Sequence, residues 1–189
     1  MGNKTVINRL NLVDPTTATG AAKVSLDAVK GAFGMVPNML KAMANSPVVV
    51  GALMGFWAAL GKGKLDAKTR EAIAIAVAEA NLCGYCLAEH TAMGQSHGLS
   101  VGQVRLYRTR VVGDAGLDAV VKLARAIVRQ SGHESDAELA DARITGLGDG
   151  EIAEVVANVD VNYFTNYFNH VADPALDFPA VNWGLARRG

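Results

Sequence analysis

An all-α fold is predicted for this chain by three observations. Apolar residues recur at helical spacing almost throughout. Convincing alternating runs of β-branched and aromatic residues, the mark of strands, are absent. Helix-start and helix-stop residues punctuate the pattern at short intervals. Of 189 residues, 50% are hydrophobic and 19% charged, a core-forming composition well away from the disordered class. No internal repeat, low-complexity segment or linker divides the chain. The expectation is one compact domain over residues 1–189, with about eight helices and short connections.

About residues 1–20 read as an extended arm containing Asp14-Pro15-Thr16-Thr17. Ala22 to Phe33 reads as a helix stopped near Gly34. Pro37 cannot continue a helix, so Val36-Pro37-Asn38 is a turn, and Asn38 caps a short helix through Met43. Ser46 caps the next, with Pro47 at its first position, running to Leu60. Asp66 is the expected N-cap of a helix carrying Ile73, Ile75 and Val77. Ser100 starts a further helix to about Arg110, Gly113 to Gly116 form a loop, and Leu117 to Gln130 is amphipathic. Gly132 closes that helix. Asp136 and Asp149 are the expected N-caps of the last two, the final one running to about Val171 before an irregular tail.

Eighteen basic residues balance eighteen acidic ones, which gives no electrostatic reason to expect nucleic acid or an acidic membrane as partner. Near-zero net charge permits self-association. The most apolar stretch, Val48 to Leu60, falls short of the roughly 20 residues a spanning helix needs. The N-terminal Met-Gly-Asn-Lys-Thr leads into no apolar signal region, so a cytoplasmic, reducing compartment is expected. There a close cysteine pair is more often catalytic or metal-binding than structural.

The chain's two cysteines stand at Cys83-Gly84-Tyr85-Cys86, followed by His90. As one continuous helix, Glu79, Cys83, Cys86 and His90 would share a stripe less than about 60° wide, with Glu71 roughly 80° off it. Glu71 could then approach the thiols only if the chain breaks between them. Asn81-Leu82-Cys83-Gly84 is a plausible break, since Asn and Gly end helices. It would put the cysteines at a new helix N-terminus, where thiolates are stabilised. His90, four residues after Cys86, can take its proton, and a carboxylate beyond His90 can orient the ring. Two thiols, an imidazole and a carboxylate suit peroxide reduction, in which one sulfur attacks and the second resolves the sulfenic acid. A zinc site from Cys83, Cys86, His90 and His97 is the competing reading, although all four would come from one short segment.

Glu71, Cys83, Cys86 and His90, with Gly94 and Gly98 following, resemble the signature of the alkylhydroperoxidase D-like branch of the carboxymuconolactone decarboxylase superfamily. The match is strongest over about Leu65 to Leu99. The late Asn162 to His170 segment resembles that of its uncharacterised peroxidase-related members. The resemblance implies an all-helical alkylhydroperoxidase D-like fold, a buried dithiol, and homo-oligomers, commonly trimers or hexamers. It implies a peroxiredoxin-type oxidoreductase, reducing alkyl hydroperoxides or hydrogen peroxide through a disulfide, with a lipoyl- or thioredoxin-like reductant and no cofactor. By position Cys86 is the cysteine nearer the relay, Cys83 the more accessible one, and Glu71 and His90 the relay. Tyr85 and Glu79 are auxiliary candidates. Tyr85 stands where some members have histidine, and tyrosine is a poor base near neutral pH. The alternatives are a redox-responsive disulfide module without peroxide turnover, and lactone or decarboxylation chemistry on the same scaffold.

Elsewhere the bland readings prevail. His97 suits a helix C-terminus. Met54, Phe56 and Trp57 read as core or pocket wall, His170, Tyr163 and Tyr167 as core or interface, and Arg105, Arg108 and Arg110 as a solvated helix face.

Overall fold

The computed structural model describes residues 8–109, 115–133, 136–182 and 184. Among them run nine helices and no strand: α1 (Gly20–Phe33), α2 (Asn38–Met43), α3 (Pro47–Leu60), α4 (Ala67–Ala80), α5 (Gly84–Ser96), α6 (Val101–Thr109), α7 (Ala115–Gln130), α8 (Asp136–Ile144) and α9 (Asp149–Ala172). The all-α expectation holds, with one helix more than expected.

α4 is the axis of the arrangement. Ala72 through Glu79 are all buried, which no amphipathic surface helix achieves. Alanines at 72, 74, 76 and 78 keep its girth small, and α5, α6, α7 and α9 all pack against it. Ile75 faces a core with Leu26, Met39, Leu53 and Leu87. Ile73 and Val77 face a second core with Val120, Leu123, Ile127, Val155 and Val159. Gly94 lets α5 lie close to α4: a Cβ there would stand 2.9 Å from Leu99 Cδ1 and 3.3 Å from Ile75 Cδ1.

The chain does break after α4. Cys83 N–H donates to the Ala78 carbonyl (2.9 Å) and Leu82 N–H to that of Glu79 (3.2 Å), the paired bonds of a Schellman turn. Leu82 takes the left-handed position, φ 58°, usually filled by glycine because a side chain there costs about 1–2 kcal/mol. The reversal delivers Cys83 as the N-cap of α5.

Some element readings shift. Asp66 caps α4 as expected, accepting from Thr69 N–H at 2.7 Å, and Gly34 and Gly132 end their helices in the left-handed conformation. Asn38 and Asp149 are first helical residues rather than caps, the cap positions being held by Pro37 and Gly148. Ser46 occupies its cap position without a side-chain bond. α7 begins at Ala115, inside the expected loop. Arg110 and Gly113 lie outside the described residues.

Residues 8–19 are irregular and tie down through Arg9 N–H to the Ala172 carbonyl (2.9 Å) and Val13 N–H to that of Lys41 (3.1 Å). Among the described residues no helix is long and apolar enough to cross a membrane.

Asp66→Ala removes the side-chain acceptor at the start of the central helix. It should lower unfolding free energy by about 1 kcal/mol, read from urea denaturation. An unchanged midpoint would show that α4 is held by packing alone.

Candidate active site

Cys83 and Cys86 are joined as a disulfide, their Cα atoms 5.4 Å apart, and each is only 1% exposed. Both belong to the N-terminal turn of α5, Cys83 as N-cap and Cys86 in the first turn. Cys86 N–H points at Cys83 Sγ (3.3 Å). This is where backbone N–H groups and the helix dipole favour a sulfur anion once the bond is reduced.

One turn further along α5, His90 Nδ1 is 2.9 Å from Glu71 Oε2 on α4. The pair is largely buried, at 17% and 16% exposure. Burial is the strongest influence on His90 and opposes its charge. The Glu71 charge and hydrogen bond, the Glu89 charge and a hydrogen bond with Asn162 together outweigh it, so the imidazole's pKa lies above its ordinary value. The ring therefore holds a proton at neutral pH more readily than a free histidine does.

Of the two auxiliary candidates, neither joins that pair. Glu79, 1% exposed, accepts from Arg108 Nε at 2.8 Å. Arg108, read as part of a solvated face, is thus a buried partner, and its guanidinium also binds the Asn182 carbonyl. Tyr85 is buried, donates its hydroxyl proton to Asp177 Oδ2 and accepts from Met39 N–H at 3.2 Å. Burial above all, then the charge of Glu89 and the Asp177 hydrogen bond, raises its pKa, so it serves as a neutral clip rather than a base. Asp177 also accepts from Asn38 N–H at 2.8 Å, which fastens the irregular tail to the middle of the cysteine motif.

Sequence reasoning did not single out the amides of α9 or Glu89. Asn158, Asn162, Asn166 and Asn169 are all buried. Asn158 and Asn162 donate to carbonyls one turn back, both at 2.8 Å. Asn166 Oδ1 accepts from Asn81 Nδ2 at 3.0 Å. Asn169 Nδ2 lies 3.2 Å from Cys86 Sγ and 3.2 Å from Met39 Sδ. Their three- and four-residue spacing was a signal, since it places them on one helix face. Glu89 sits beside the Glu71–His90 pair. Burial raises its pKa most; His90 opposes the rise, and Glu71 and Asp177 add to it.

Two cavities flank this assembly and share no lining residue. One, of about 930 Å³, is lined by Cys83, Gly84, Tyr85, Asn169, His170 and tail residues. The other, of about 390 Å³, is lined by Glu71, Glu89 and His90 with Phe33, Trp57 and Phe178 among its apolar walls. Trp57 is therefore pocket wall, and Phe33 meets it edge to face at 5.8 Å. Phe56 instead is 39% exposed. His170 is exposed, its Nε2 3.0 Å from the Asn81 carbonyl oxygen, and Tyr167 is also exposed, in edge contact with Tyr163. The four residues of the zinc reading do not converge. The sulfurs are bonded to each other, His97 is the C-cap of α5, and no group of three or more His, Cys, Asp or Glu among the described residues is placed to hold a metal ion.

Residues 47–129 match the carboxymuconolactone decarboxylase family. The chain is similar in structure to an uncharacterized peroxidase-related protein from Silicibacter sp. TM1040, 22% identical over 93% of this chain and 94% of that one, with a TM-score of 0.79. It is also similar to the alkylhydroperoxidase AhpD core of an uncharacterized peroxidase-related protein from Ralstonia eutropha JMP134, 21% identical over 90% and 93%, TM-score 0.77. A cysteine-to-alanine variant of the debrominase Bmp8, solved in complex with 2,3,4-tribromopyrrole, is 16% identical over 93% and 92%, TM-score 0.74. A comparison with curated proteins finds no match.

The Glu71–His90 pair makes a signed prediction. Because the folded pKa of His90 is raised, the pair's contribution to stability is complete below about pH 6.5, the free-histidine value. It is lost as pH rises through the folded pKa. Glu71→Gln should lower the His90 pKa, as followed by NMR titration of the ring; an unmoved titration would show that Glu71 does not hold the imidazolium.

Proposed function

Because this chain has the alkylhydroperoxidase D-like fold and its residues 47–129 belong to the carboxymuconolactone decarboxylase family, we propose that it is a thiol-dependent peroxidase working through Cys83 and Cys86. The observation that carries the reading is the junction of α4 and α5. It puts a dithiol at a helix N-terminus and a carboxylate-held imidazole one turn along the same helix.

Cys86 attacks as the thiolate. Its sulfur bonds the terminal oxygen of ROOH, the O–O bond breaks, and the departing alkoxide takes a proton from His90. ROH leaves, and Cys86 becomes the sulfenic acid. The Cys83 sulfur then attacks the Cys86 sulfur and releases water, leaving the disulfide. Glu71 holds the imidazolium in place and in charge. Regeneration needs two electrons from an external dithiol, which we infer to be lipoyl- or thioredoxin-like. A homo-oligomer, trimeric or hexameric, is the inferred assembly.

One observation favours a second reading: the His90–Glu71 pair opens into the roughly 390 Å³ cavity, which neither sulfur lines. On that reading the pair performs acid–base chemistry on an organic molecule, and activity survives Cys83→Ser and Cys86→Ser.

The test of the first reading is stoichiometric formation of the Cys83–Cys86 disulfide when reduced protein meets hydroperoxide. Cys86→Ser should abolish turnover, and His90→Ala should slow it by about 10²- to 10⁴-fold, the usual worth of a general acid. Peroxide consumption by either variant at the wild-type rate would sink the assignment.

A further inference from the structure

Asn169 stands in an unusual position for a core amide. It is 4% exposed. Its two N–H groups are directed at sulfur, one at Cys86 Sγ and one at Met39 Sδ, each at 3.2 Å. Its carbonyl oxygen is buried with no hydrogen-bond partner. An acceptor left like this costs about 1–3 kcal/mol, whereas an apolar residue of similar shape would cost nothing comparable. Asn169 also lines the roughly 930 Å³ cavity into which Cys83 faces. One side chain therefore joins the Cys86 sulfur, an unfilled acceptor and the cavity that leads to the dithiol.

We propose that Asn169 is a catalytic residue of the dithiol site, its amide nitrogen holding the Cys86 thiolate and its open carbonyl oxygen accepting the O–H of an incoming hydroperoxide. The proposal rests on the peroxidase reading above and adds a group to it. In the attack, the oxygen transferred to sulfur is the one whose hydrogen Asn169 Oδ1 holds. The O–O bond breaks, the alkoxide collects its proton from His90, and the new Cys86–SOH keeps its hydrogen on Asn169. When Cys83 attacks the Cys86 sulfur, that hydroxyl leaves with a proton as water and the acceptor empties. No electron or proton resides on Asn169 at any stage. The amide aims the O–O bond at the sulfur. Small hydroperoxides and hydrogen peroxide share the O–H group that the amide reads, so the alkyl part is not selected by Asn169.

The experiment compares two reactions of reduced Cys86 in a Cys83→Ser background, with and without Asn169→Leu. One is sulfenic acid formation with tert-butyl hydroperoxide, by stopped flow. The other is alkylation by iodoacetamide as a function of pH. Loss of the bond to a charged sulfur and of the acceptor should slow the hydroperoxide reaction about 10- to 100-fold at neutral pH. The alkylation profile should move to higher pH while its plateau rate stays at the parent value. Asn169→Asp, which keeps an acceptor but replaces the donor by a charge, should move the profile upward further and provides the readout if Asn169→Leu does not fold. Equal loss in the hydroperoxide rate and the alkylation plateau, or no loss in either, overturns the proposal. Wild-type protein inert to hydroperoxide overturns the peroxidase reading and the acceptor role together. An active wild type matched by Asn169→Leu overturns the role of Asn169 alone.

Discussion

The hydrogen bond between Glu71 and His90 depends on the chain turning back between Ala80 and Gly84. On a single straight helix these two side chains would be far apart along the axis and on different faces. The Schellman closure on the Ala78 and Glu79 carbonyls ends α4, Leu82 supplies the left-handed residue, and α5 returns alongside. The placement of the cysteines and of His90 follows from that reversal. It makes Cys83 an N-cap, puts Cys86 in a first turn, and lays His90 against the helix that carries Glu71. The narrow alanine-rich surface of α4 and the bare face of Gly94 then set how closely the two helices meet.

A second constraint comes from α9. Its buried face carries four asparagines and Thr165 among apolar side chains. Two of them spend their donors on the helix's own backbone. Asn162 also bonds the His90 ring, and Asn169 reaches Cys86. One helix thus contacts both the proton-holding group and a sulfur. Polar groups in a low-dielectric interior act strongly and tolerate little displacement, which fits a site whose parts must keep their register.

The helical class and most boundaries were legible because caps, glycines and apolar spacing are local signals. The break at Asn81 to Gly84 was legible for the same reason, and with it the approach of Glu71 to His90. Arg108 was not, because charge alone reads as surface until its carboxylate partner on α4 is known. The asparagines of α9 share one helix face in the sequence, yet nothing local distinguishes a wet polar stripe from a buried one. Asp177 lies in an irregular tail with no periodicity, and its bond to Tyr85 spans 92 residues. Tyr85, conspicuous as a departure from a histidine pattern, turned out to be explained by that distant carboxylate.

The clip between Tyr85 and Asp177 also orders events during synthesis. A ribosome makes the chain from its N-terminus, and folding of early segments begins before late ones exist. The two cysteines emerge well ahead of α9 and the tail, so the nascent dithiol has neither the Asn169 amide nor the Asp177 tether around it. Until those late residues arrive, the pair lacks contacts that surround it in the finished fold. Those contacts are supplied by the last residues to arrive.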